Sequence, residues 1–107
     1  MRLRQALLAG LLLLPGLVWG QSASDAVWLI PIDTEITPAT AQFVSSRVER
    51  ANQEQPLALV FFIDTPGGQV SSMEDIVESI LSGARLPTIA VVQNAFSAGA
   101  PIAMSAE

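Results

Sequence analysis

The sequence predicts an α/β fold of βαβ units around a mainly parallel sheet. Three observations carry that expectation. Residues 26–32, 57–63 and 88–92 are short apolar runs rich in β-branched side chains, the pattern of buried strands. Stretches with helical periodicity separate these runs. Strand, helix and strand therefore alternate, and such crossovers close into a parallel sheet with helices packed on its faces.

The N-terminus precedes this pattern. Met1-Arg2-Leu3-Arg4 is basic, and residues 6–18 are almost purely apolar, interrupted by Gly10, Pro15 and Gly16. A charged start followed by an apolar stretch of this length is the pattern of a secretory signal. It is short for a membrane span, which needs about 20 apolar residues, although an uncleaved anchor is the alternative. Val18-Trp19-Gly20 presents one cleavage site and Ser24-Asp25-Ala26 a second. The expected organisation is a signal peptide over residues 1–20 and one domain over 21–107, exported to the extracytoplasmic side.

The elements follow in order. Residues 26–32 form the first strand, with Pro31 weakening its end. Thr37 is placed as the N-cap and Pro38 at the first position of a helix running to about residue 52. Phe43, Val44, Val48 and Ala51 share one side of it, and Pro56 closes the connection. Residues 57–63 are seven consecutive apolar residues, expected to be buried on both faces. Residues 64–68 form a turn. Ser71 or Ser72 caps the next helix, with Glu74 or Asp75 completing a capping box. Met73, Ile76, Val77, Ile80 and Leu81 make its core stripe, and Gly83 ends it. Residues 88–92 form a third buried strand, 94–99 a loop, and a helix starts at Ala100. Trp28, Met73 and Met104 are read as packing residues. Glu49-Arg50 and Glu74, Asp75 and Glu78 are read as solvated helix faces.

Composition excludes several chemistries. The 107 residues contain no Cys and no His, so a disulfide scaffold, a thiol nucleophile, a Cys/His zinc site and a self-contained Ser-His-Asp triad are ruled out. All five basic residues are Arg, against ten acids. Without residues 1–20, three Arg face ten acids, a net charge of −7. No basic face exists for a nucleic acid, and no cofactor or metal site is indicated.

Two loops follow the carboxyl ends of neighbouring strands, where open α/β sheets place their working crevice. Gly67-Gly68 allows backbone N–H groups to approach a ligand without interference from a Cβ. Ser97 stands where strand becomes helix, among Ala95, Phe96, Ala98 and Gly99. A serine hydroxyl beside an N–H cluster suits acyl transfer. Ala95-Phe-Ser-Ala-Gly99 echoes the G-x-S-x-G elbow with its first glycine replaced by Ala. Singly, each feature also has an ordinary explanation: a turn for the glycines, a helix cap for Ser97, and a loop anchor for Asp64.

Together, Asp64-Thr-Pro-Gly-Gly68, an amphipathic helix and Asn94-Ala-Phe-Ser-Ala-Gly-Ala100 resemble the ClpP/crotonase fold. Within that fold the chain is similar to the membrane-bound serine proteases of the NfeD (nodulation-efficiency protein D) family over residues 26–107. The resemblance implies a serine endopeptidase of the Ser/Lys dyad class acting on a peptide or protein substrate. It implies Ser97 as nucleophile and N–H groups of Gly67, Gly68 and Ala98 as the oxyanion hole. It also implies a lysine base on a later element, membrane association through downstream segments, and a homo-oligomer. This chain has no Lys, so it is expected to be an N-terminal part whose sheet is incomplete and which is inactive alone. Two other readings stay open: a non-catalytic membrane-assembly module of the same fold, and a coenzyme A-dependent crotonase-fold enzyme. Export and the lack of a basic patch argue against the last.

Overall fold

The computed structural model describes residues 25–107; the expected signal segment, residues 1–20, lies outside them. Three strands, β1 (Val27–Ile32), β2 (Ala58–Thr65) and β3 (Thr88–Ala95), form one parallel sheet in the order β1-β2-β3. Helix α1 (Pro38–Glu54) links β1 to β2. Helix α2 (Val70–Glu78) runs into a π-helical turn (Ser79–Gly83) and links β2 to β3. Helix α3 (Gly99–Met104) follows β3.

The local chemistry explains these boundaries. Thr37 caps α1: its side chain accepts from the Thr40 N–H while Thr40 Oγ1 accepts from the Thr37 N–H. Pro38 needs no donor at the first helical position. The helix ends at Gln55, whose backbone is left-handed with φ 56°. Helix α2 has no such cap. Its N-cap position is Gln69, without a side-chain capping bond. Ser71 and Ser72 are therefore not caps but lie inside the first turn, and Ser72 Oγ donates to Gln69 Oε1 at 3.2 Å.

The core is the helix-facing side of the sheet. Ile30, Ile32, Leu59, Phe61 and Ile63 meet Ala41, Val44, Val48 and Ala51 of α1, Ile76 and Ile80 of the second helical segment, and Ile102 of α3. Trp28, Phe43, Met73 and Val77 pack at its margin. Side chains of β2 alternate between buried and half-buried. All three helices cover one face, with α2 packing against both α1 and α3.

That arrangement corrects four expectations. The β2 run is buried on one face, not two. The third strand is not buried: only Thr88 is, while Ile89 and Val91 stand 48% and 47% exposed. Leu81 leaves the core stripe at 64% exposure, because it sits in the π-helical turn, which carries an extra residue per turn and rotates its side chain outward. Met104 is exposed rather than packed. Strand β3 also runs three residues beyond 92, through a bulge. Ile63 pairs with Val92 and Asp64 with Asn94, so Gln93 is the extra residue.

Candidate active site

The carboxyl ends of β2 and β3 bring the two loops together. Residues 64 and 65 complete β2, and Pro66-Gly67-Gly68 makes the turn. Gly67 has φ +108° and Ser97 has φ +51°. A Cβ built on Gly67 would lie 2.6 Å from Ser97 Cβ and 3.1 Å from Ser97 Oγ. Glycine is thus required twice there, by conformation and by the serine pressed against it.

Gly68 is constrained from the opposite side. A Cβ on it would collide with the Ile36 carbonyl oxygen. Ile36 pairs with this loop as an isolated bridge: its N–H donates to the Gly67 carbonyl at 2.9 Å, and its carbonyl accepts from the Gln69 N–H at 2.9 Å. The segment between β1 and α1 therefore clamps the glycine loop from behind.

The N–H groups divide cleanly. The Gly67 N–H donates to Thr65 Oγ1 at 3.1 Å and is turned inward. Among the described residues, neither the Gly68 nor the Ala98 N–H meets an acceptor. Of the three N–H groups singled out from the sequence, Gly68 and Ala98 remain available and Gly67 is engaged.

The serine turn is held by its own bonds. Phe96 N–H donates to the Thr65 carbonyl at 3.2 Å, Gly99 N–H to the Phe96 carbonyl at 2.8 Å, and Ala100 N–H to the Ser97 carbonyl at 3.2 Å. Ser97 is exposed, while Ala98 and Gly99 are buried beneath it. Ser97 is not the helix cap, because the N-cap position of α3 is Ala98. Its left-handed backbone sets its side chain against Gly67.

Asp64 anchors the neighbouring strand, accepting from Asn94 Nδ2 at 3.0 Å. The residue that sequence reasoning missed is Thr65. It is 1% exposed; its hydroxyl donates to the Thr34 carbonyl at 2.6 Å while accepting from Gly67. A threonine before Pro-Gly-Gly could have been suspected of turn chemistry, but its partners come from three separate segments. No Lys or His exists in the chain, so neither an amine nor an imidazole stands beside Ser97.

Comparison with known proteins identifies the family. Residues 26–107 match the family described as NfeD1b, N-terminal domain. The membrane protein NfeD1b of Bacillus subtilis (strain 168) is 30% identical over 88 residues, covering 81% of this chain and 20% of that protein. The 1510-N protease, a membrane protease specific for a stomatin homologue from Pyrococcus horikoshii, is similar in structure. Its lysine-to-alanine variant in complex with a substrate peptide aligns with a TM-score of 0.71 at 31% identity, covering 78% of this chain and 40% of that chain. ClpP1 from Listeria monocytogenes aligns at 0.69 with 24% identity, covering 74% of this chain and 46% of that one, a likeness of fold. The chain thus spans a fifth of the curated relative and under half of each of these structures. Among the described residues, no helix is long and apolar enough to cross a membrane. With the match running from the first strand to the last residue, this chain belongs to the NfeD1b N-terminal domain family.

Proposed function

We propose that this chain is the N-terminal part of an exported, membrane-associated serine endopeptidase, with Ser97 as its nucleophile. The observation that supports this most strongly is the left-handed Ser97 packed directly against Gly67. Strain of that kind persists where surrounding structure over-determines it, and it clusters at functional sites.

Ser97 Oγ attacks the carbonyl carbon of a peptide bond, and its proton passes to a neutral lysine amine from a segment outside this chain. The N–H groups of Gly68 and Ala98 hold the resulting oxyanion. Collapse breaks the C–N bond, and the lysine returns the proton to the leaving amine, leaving an ester on Ser97. Water then hydrolyses that ester by the same proton route. A lysine serves as a base only when burial lowers its pKa, so the rest of the domain has to enclose it. The substrate is a peptide segment, in line with the substrate peptide held by the 1510-N relative. Self-association of the whole protein is part of this proposal.

The test uses the full-length product of the reading frame that carries these residues. Ser97→Ala should abolish peptide cleavage and labelling by a fluorophosphonate probe. Ser71→Ala and Ser105→Ala should leave both nearly unchanged: Ser71 is an exposed helix residue, and Ser105 Oγ only donates to the Ile102 carbonyl within its own turn. Residues 21–107 alone should show neither activity. Cleavage by Ser97→Ala at the wild-type rate would remove the nucleophile assignment and favour the assembly-module reading.

A further inference from the structure

We infer that Thr65 is the positioning residue of this site, with its hydroxyl and its methyl serving different halves of it. The inference rests on the serine-protease reading above. Thr65 is a buried side chain that reaches both loops. Its hydroxyl is engaged as donor and as acceptor, donating to the Thr34 carbonyl at 2.6 Å and accepting from the Gly67 N–H at 3.1 Å. The Gly67 carbonyl is held in turn by the Ile36 N–H at 2.9 Å. The Gly67 residue is therefore fixed at both its polar atoms. With that orientation set, the next N–H, on Gly68, is left without an acceptor among the described residues, on the exposed side of the loop. The hydroxyl of Thr65 thus engages the Gly67 N–H and leaves the Gly68 N–H as the unpartnered donor of the pair.

The methyl acts on the other loop. A Cβ built on Gly99 would lie 2.7 Å from Thr65 Cγ2, so the methyl already occupies the space beneath the Ser97 turn. The backbone of Thr65 adds two further ties: its pairing with Ala95 and its carbonyl bond to the Phe96 N–H at 3.2 Å. Thr65 is buried and acts on Gly67, Phe96 and Gly99, the residues that flank the proposed donor and nucleophile.

Two substitutions separate the two functions. Thr65→Val keeps the shape and removes the hydroxyl, whereas Thr65→Ser keeps the hydroxyl and removes the methyl. In the full-length protein, Thr65→Val should lower kcat by roughly 10²-fold, the scale of losing one oxyanion donor, with KM changed less than two-fold. Thr65→Ser should recover most of that kcat. A readout independent of turnover is amide hydrogen exchange resolved to single residues. The Gly67 amide should be protected and the Gly68 amide fast in the wild type and in Thr65→Ser. In Thr65→Val the Gly67 amide should become fast, with α1 and α2 still protected. If the wild-type protein cleaves no peptide, the protease reading falls, and the exchange pattern still decides the role of Thr65. Should Thr65→Val not fold, Thr65→Ser against wild type decides: loss of Gly67 protection with the hydroxyl still present overturns the assignment. So does a folded Thr65→Val that retains wild-type kcat or a slow Gly67 amide.

Discussion

Serine in a left-handed conformation carries a steric penalty of about 1–2 kcal/mol that glycine escapes. Ser97, at φ +51°, carries that penalty; under the proposed function its hydroxyl is what offsets it. Ser97→Gly should leave stability unchanged or raise it by up to about 1 kcal/mol, while removing every serine-dependent activity. Urea denaturation of the two proteins measures this, and a clear fall in the Ser97→Gly midpoint would contradict it. Gly67 presents the reverse case. Gly67→Ala meets both φ +108° and a contact of 2.6 Å with Ser97 Cβ, so it should destabilise by about 1–3 kcal/mol and slow acylation by displacing the serine. Thermal melts together with probe labelling would show both effects, and a neutral outcome would mean that the loop relaxes freely.

At the scale of elements, the ends of α1 carry much of the specification. Asn52 bridges it to the π-helical turn, with Nδ2 donating to the Gly83 carbonyl at 2.6 Å and Oδ1 accepting from the Arg85 N–H at 3.0 Å. Asn52→Ala would remove both bonds, and because the Arg85 N–H is open to water the cost should be about 1 kcal/mol, with the start of β3 loosened. Chemical denaturation reads the loss, and exchange at residues 84–88 reads its location. Three residues further along, Gln55 closes α1 with φ 56°, a position that glycine fills without strain. Gln55→Gly should stabilise by about 1 kcal/mol; a lower midpoint would show that the Gln55 side chain contributes more than its backbone loses. Helix α2 lacks a side-chain cap and depends on the core contacts of Ile76, and of Ile80 in the π-helical turn that continues it, instead.

The described residues form a two-layer structure in which one face of the sheet is uncovered. Helices cover one side of the sheet, and the other presents Leu29 at 65% exposure with Ile89 and Val91 about half exposed. Parallel sheets are normally covered on both faces, and contiguous exposed apolar surface promotes association. Residues 21–107 by themselves should self-associate at micromolar concentration, as sedimentation velocity would detect. Leu29→Glu combined with Val91→Glu should shift the distribution toward monomer, since both substitutions place charge on the uncovered face without entering the core. A monodisperse monomer of the unsubstituted chain would argue against this.

How far the sequence reaches can be judged from particular residues. The alternation of strands and helices, the Thr37 cap and the placing of Ser97 opposite Gly67 were legible, because each depends on local periodicity or on a motif whose spacing survives folding. Leu81, the exposed third strand and the uncapped α2 were not. Hydrophobicity states that a side chain prefers burial, but only the packing of three helices on one face decides which side chains receive it. The division of N–H groups among Gly67, Gly68 and Ala98 was equally hidden, since Thr65 sits two residues from Gly67 but 31 from Thr34, to which its hydroxyl donates. Local propensity establishes which segments are regular and that Ser97 stands at a strand-to-helix turn. Long-range hydrogen bonds and close contacts, which exist only in the folded chain, decide which donors that serine faces.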